Sequence, residues 1–115
     1  MNFIGEFNEL KSGIKELNMA SDKSITLDRT EKGYKIIGKD NVYNLSYNTK
    51  TDFFRAVTIL NGISDGESID VSAVNRFDNC GIMIDVSRNA VLKVETVMDI
   101  IRYMAKMGLN QLMLY

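Results

Sequence analysis

The chain is 115 residues long and 45% hydrophobic, which is enough for one domain of ordinary size with its own hydrophobic core. Fourteen basic and fifteen acidic residues give a formal net charge of -1, and like charges are not clustered, so neither nucleic acid nor a membrane surface is expected as a partner. Histidine is absent and Cys80 is the single cysteine, which excludes an intrachain disulfide, a Cys/His zinc site and catalysis by an imidazole base; no metal or other cofactor is expected.

The first apolar pattern covers residues 3–17. Apolar side chains recur there at steps of three and four residues, and charged side chains lie between them. The apolar members are Phe3, Ile4, Phe7, Leu10, Ile14 and Leu17. This spacing predicts an amphipathic helix over residues 3–17.

Three short β-rich runs follow, at residues 24–29, 34–38 and 42–47. Turn-forming residues separate them, which predicts three strands, the last two of them in a hairpin. In the third run Tyr43 and Tyr47 share an apolar face, and polar residues occupy the other. We expect these two tyrosines, with Tyr34, to pack beneath a helix rather than to stack on a sugar.

A second helix is predicted from Thr51, a candidate N-terminal cap, to about Ile63. Its aromatic residues, beginning with Phe53, are expected to press on the sheet. A fourth strand is predicted over residues 68–74. Together these elements describe a small β-sheet with helices packed on one face.

The last third of the chain has a different pattern. Residues 81–86 are almost continuously apolar, which predicts a strand buried on both faces. Residues 94–107 predict a helix that ends at Gly108, and residues 109–115 predict another apolar strand. Strand, helix and strand joined by short loops predict a βαβ unit with parallel strands. Its methionines and Cys80 are expected to be buried.

Polar residues 75–79 separate these two patterns and predict a boundary between a domain of residues 1–76 and a segment of residues 77–115. The second segment would leave one apolar strand edge uncovered, which natural domains avoid. We therefore expect that the sequence belongs to a longer protein, and that the isolated chain self-associates.

The second segment carries a specific motif. Gly81, Asp85 and Arg88 form a Gly-x-x-x-Asp-x-x-Arg pattern, which is followed by a helix ending in Met-Gly-Leu-Asn and a strand of sequence LMLY. This order resembles the start of the catalytic barrel in family 20 glycoside hydrolases, the β-N-acetylhexosaminidases. The resemblance implies an α/β (α+β) chain in which the small sheet domain precedes the first βαβ unit of a truncated (β/α)8 TIM barrel.

The resemblance also implies roles for two residues. Arg88 would donate hydrogen bonds to hydroxyls of the terminal sugar, a task that suits a planar guanidinium with permanent charge. The alternative for Arg88 is a pair with a neighbouring carboxylate. Asp85 is expected to be either a structural acceptor or an acceptor that supports residues of the sugar site, and not to contact the sugar itself.

The activity that the resemblance implies belongs to the longer protein. Family members remove terminal N-acetylhexosamine by a substrate-assisted retaining mechanism that needs an Asp-Glu pair, and this chain contains no Asp-Glu dipeptide. No catalytic residue is therefore expected here. The alternative is that the α/β part works as a non-catalytic binding or interaction module. No export signal and no long apolar run is visible, so a cytoplasmic location is expected.

Overall fold

Two separate sheets organise the chain, as a computed structural model of residues 1–88 and 90–115 shows. The first sheet has five strands in the order β1-β2-β4-β3-β5. These strands are β1 (Asn2–Ile4), β2 (Ser24–Arg29), β3 (Tyr34–Lys39), β4 (Val42–Tyr47) and β5 (Ile69–Ala73). A 3-10 turn (Asn8–Leu10) leads into helix α1 (Lys11–Leu17), and helix α2 (Lys50–Gly62) joins β4 to β5.

The pairing of the five strands is mixed. Strand β2 lies parallel to β1 and β4, while β3 is antiparallel to β4 and β5. The β3–β4 hairpin turns at Asp40 and Asn41, which have φ angles of 52° and 62°. Asn and Asp tolerate this left-handed region better than other residues with side chains, and tight hairpins need it. The predicted strands and hairpin are confirmed.

The hydrophobic core lies between the first sheet and helix α2. Its fully buried large side chains are Tyr43, Phe53, Ile25, Ile36, Leu45 and Leu60. Tyr43 keeps its hydroxyl satisfied by donating to the Glu67 carbonyl oxygen at 2.6 Å, as a buried phenol must. Tyr34 and Tyr47 are also buried, so the prediction that the tyrosines pack beneath a helix is confirmed.

Helix α2 begins with a reciprocal cap at Thr49, two residues before the predicted cap at Thr51. The Thr49 hydroxyl accepts from the Asp52 backbone N–H at 3.2 Å, and the Asp52 carboxylate accepts from the Thr49 N–H at 3.0 Å. Both residues therefore satisfy backbone donors that a helix start leaves free. Thr51 lies within the first turn of the helix.

The prediction of one helix over residues 3–17 is wrong in its first half. Residues 2–4 form strand β1, which pairs with β2, and Gly5 adopts a φ of 123° that ends the strand. Helical structure starts only at Asn8. The apolar spacing was misleading because Phe3 reaches the core from a strand and lies 5.8 Å from the ring of Phe53.

The second sheet contains two parallel strands joined by a helix. They are β6 (Gly81–Ile84) and β7 (Gln111–Leu114), and the helix is α3 (Val94–Met107). Helix α3 ends at Gly108, whose φ of 80° is left-handed, as the sequence predicted. A βαβ unit is thus present, and the chain as a whole has a mixed α+β architecture with three α-helices in the described residues. That this unit opens a barrel stays a prediction.

Burial in the second sheet differs from the prediction. Strand β6 is largely exposed, and Met83 is 64% accessible. Among the later methionines Met104 is buried, whereas Met98, Met107 and Met113 are exposed. Cys80 is an exposed free thiol rather than a buried one. The reason is that β6 has one neighbouring strand within the described residues, and that the side chain of Met83 remains open to solvent.

Helix α3 connects the βαβ unit to the first sheet through α1 and α2. Arg102 forms an ion pair with Glu16 of α1 at 2.9 Å, and Arg55 of α2 donates to the Lys106 carbonyl oxygen at 3.2 Å. None of the helices in the described ranges is long and apolar enough to cross a membrane. The domain boundary near residue 76 stays a prediction.

Candidate functional site

The candidate site lies where β6 and β7 end. Tyr115 follows β7 and donates its N–H to the Ile84 carbonyl oxygen at 2.9 Å, and its own carbonyl oxygen accepts from the Val86 N–H at 2.7 Å. These bonds extend the parallel pairing by one residue and hold the residues that follow β6 and β7 side by side. The loop that carries Asp85 and Arg88 therefore starts at the carboxyl edge of the pair.

Gly81 allows this pairing to be close. A Cβ at position 81 would collide with the carbonyl group of Gln111, the residue opposite it in β7. Any side chain would therefore push the two strands apart at the amino end of the unit. The glycine of the motif has a structural reason in this chain, independent of any ligand.

Asp85 turns back on its own loop. One carboxylate oxygen accepts from the Ser87 N–H at 2.8 Å and from the Ser87 hydroxyl at 2.6 Å. The hydroxyl bond, and after it the backbone bond, hold the pKa of Asp85 below its ordinary value, because both favour the charged form. This is the geometry of a structural acceptor, the role expected for Asp85, and whether it supports a sugar site stays a prediction.

Arg88 lies three residues beyond Asp85 in the same loop and is exposed. The next residue, Asn89, lies outside the described residues. None of the ion pairs found within residues 1–88 and 90–115 involves Arg88, so the alternative of a pair with a neighbouring carboxylate gains no support from them. A guanidinium in this position can donate to hydroxyl or carboxylate oxygens of a ligand.

The loop presents two charged side chains, the carboxylate of Asp85 and the guanidinium of Arg88. The Asp85 carboxylate is held in its charged form, so it is poorly suited to be a proton donor. Among the described residues no group of three or more potential metal ligands lies together. A carboxylate and a guanidinium in one loop can accept hydrogen bonds from a ligand and donate them to it.

The predicted strand over residues 81–86 placed Asp85 within the strand, whereas the observed strand ends at Ile84 and Asp85 lies in the loop with Arg88. Sequence reasoning also missed Ser87, although Ser87 supplies both donors that fix Asp85. The signal was present, because an Asp two residues before a Ser often accepts from that residue's backbone N–H. Tyr115 was also missed as the neighbour of this loop.

Comparison with known proteins leaves the family open: no protein-family model matches the chain, and no match was found among curated proteins.

Proposed function

We propose that this chain is the non-catalytic N-terminal part of an exo-acting β-N-acetylhexosaminidase, with residues 77–115 forming the first βαβ unit of its (β/α)8 barrel. The observation that carries this proposal is the position of Arg88 in the loop after a parallel strand. In barrels of this type the loops at the carboxyl ends of the strands build the substrate site. Arg88 is the residue of this chain that would bind the terminal sugar.

The proposed mechanism assigns sugar binding to Arg88 and catalysis to carboxylates elsewhere in the barrel. In a substrate-assisted retaining mechanism the acetamido oxygen of the sugar attacks the anomeric carbon, and carboxylates orient the acetamide and protonate the leaving oxygen. This chain has no Asp-Glu dipeptide, so those carboxylates would come from a later part of the barrel. Arg88 would contribute binding energy and orientation through hydrogen bonds to sugar hydroxyls.

The experiment that tests the proposal starts from the coding sequence beyond Tyr115. An Asp-Glu pair within the following couple of hundred residues, and release of nitrophenol from a nitrophenyl N-acetylglucosaminide by the full product, would support it. A stop codon directly after Tyr115, or a full product that binds no N-acetylhexosamine, would contradict it. A cytoplasmic setting is part of the proposal, since the free thiol of Cys80 suits a reducing compartment.

A second candidate function is an interaction module, and a specific observation favours it. The βαβ unit exposes several large apolar side chains; those on or next to its strands are Ile82, Met83, Met113, Leu114 and Tyr115. Exposed apolar surface of this kind marks sites of association. Within residues 1–88 and 90–115, strand β7 pairs with β6 alone, and it carries no charged residue, so a second copy could pair with its other edge. A stop codon after Tyr115 together with stable dimers in light scattering would favour this function over the first.

A further inference from the structure

An apolar groove lies where the three helices meet, away from the loop of Arg88. Its cavity volume is about 310 Å³. Its apolar wall residues are Leu17 of α1, Phe54 of α2, and Met98, Ile101 and Ala105 of α3. The three residues from α3 follow one another at helical spacing and form one stripe. Met98 and Ile101 remain 46% and 49% accessible, so a molecule in the groove would cover them.

Gly13 explains why the walls approach as they do. It lies inside helix α1, where glycine is unfavourable for helix stability. A Cβ at position 13 would collide with the ring of Phe54. The aromatic ring therefore fills the place of a side chain on α1 and becomes the wall between α1 and α2.

The rim of the groove carries charges that are already paired. Arg102 donates through Nε and Nη2 to one oxygen of Glu16, at 3.1 and 2.9 Å, and through Nη1 to Asp99 at 2.8 Å. Two carboxylates facing one guanidinium leave a local charge of about -1 at the mouth. The rim would therefore repel an anionic ligand, because the guanidinium of Arg102 is already paired.

We propose that this groove binds an uncharged aromatic molecule of about two fused rings, with no part in sugar hydrolysis. The size follows from the volume, since an apolar cavity of about 150 Å³ accepts benzene and this one is about twice as large. The aromatic class follows from the walls, because the Phe54 ring and the Met98 sulfur both make favourable contacts with aromatic rings. The neutral charge follows from two features: the rim carboxylates repel an anion, and the apolar walls offer nothing that would offset the desolvation of a cation.

Titration of the full chain with naphthalenemethanol, followed by amide NMR, tests this proposal. We expect saturable shifts centred on Gly13, Leu17 and Ala105. Naphthoate, which has the same rings and a negative charge, should bind about tenfold more weakly because of the rim carboxylates. The reversed preference, or shifts centred on Met83 and Met113 of the second sheet, would overturn the proposal.

Two variants locate the site independently. Ala105→Leu fills the groove without opposing helix formation and should reduce naphthalenemethanol affinity about tenfold or more, while Met98→Ala removes a wall and should weaken it less. Met107→Ala is the control, because Met107 is 65% accessible on α3 and does not line the groove. If Ala105→Leu unfolds the chain, the naphthalenemethanol affinities of Met98→Ala and Met107→Ala are compared instead, and only Met98→Ala should bind more weakly. Equal affinities in all folded variants would overturn the proposal.

Discussion

The side-chain amide of Asn75 donates to the buried carboxylate of Asp52 at 3.0 Å. Asp52 is the capping residue in the first turn of α2, and Asn75 lies in the segment that leaves the five-stranded sheet for the βαβ unit. One carboxylate therefore serves two purposes: it caps a helix and it anchors the connecting segment. Its other oxygen accepts from the N–H and the hydroxyl of Thr49.

Asp52→Ala should lower the free energy of unfolding by about 2 kcal/mol, since it removes a helix cap and leaves the amide of Asn75 without its acceptor. Asn75→Ala should lower the free energy of unfolding by about 1 kcal/mol only, because the cap formed by Thr49 and Asp52 remains. Urea denaturation followed by circular dichroism measures both. Asp22→Ala is the control, because Asp22 is exposed in the segment before β2. Equal losses for Asp52→Ala and Asp22→Ala would contradict the dual role of Asp52.

Ser87→Ala should raise the pKa of Asp85 toward its ordinary value, because the hydroxyl bond is the main cause that lowers it. Because folding lowers the pKa of Asp85, its carboxylate stabilises the folded loop at every pH above the pKa of the unfolded chain. This stabilisation is lost as the pH falls through the lowered pKa of the folded state. The carboxyl carbon shift of Asp85, followed by NMR from about pH 2 to pH 6, measures the change. Ser72→Ala should leave the Asp85 midpoint unaltered, and an unaltered midpoint in Ser87→Ala would show that the hydroxyl bond is absent in solution.

The 115-residue chain should release no nitrophenol from a nitrophenyl N-acetylglucosaminide. The reason is that it has no Asp-Glu dipeptide, and the proposed mechanism needs that pair to orient the acetamide and protonate the leaving oxygen. The assay compares the purified chain with a buffer blank. Turnover above the blank that co-elutes with the folded chain would mean that the catalytic groups lie within these residues.

In the proposed full-length enzyme, Arg88→Ala should weaken the binding of substrate. Each lost hydrogen bond from a charged donor costs about 1.5–3 kcal/mol, which corresponds to roughly a tenfold to hundredfold loss of kcat/KM per bond. Arg76→Ala is a matched control, because Arg76 is also an exposed arginine in a connecting segment. Unchanged kinetics in Arg88→Ala would remove this residue from the sugar site.

The isolated chain should self-associate through β7, and Met113→Lys should suppress that association. Met113 lies within an edge strand that carries no charge, and lysines on edge strands oppose pairing with a second chain. Light scattering over a series of concentrations measures the mean mass. Val42→Lys is the control, since Val42 is 62% accessible but belongs to the first sheet. A chain that is monomeric at every concentration would show that β7 finds no partner strand in a second copy.

Much of the secondary structure followed from the sequence, because it depends on local patterns. The turn residues Asp40 and Asn41 placed the hairpin, and the apolar spacing of residues 94–107 with Gly108 after them placed α3 at its observed bounds. Prediction failed for residues 2–4, since a three-residue strand forms only through its pairing with β2. Such pairing depends on residues about twenty positions away, which no local pattern records.

For the candidate site, too, some features could be predicted from the sequence and others could not. The sequence by itself determined that Arg88 follows a strand beginning at Gly81, and that neither an imidazole nor an intrachain disulfide is available. Only the tertiary structure decided that Asp85 is held by Ser87, that Met83 faces outward, and that α1, α2 and α3 enclose an apolar groove. The physical reason is that spacing along the chain sets which residues share a face, whereas burial and hydrogen bonding depend on what the rest of the fold brings opposite that face.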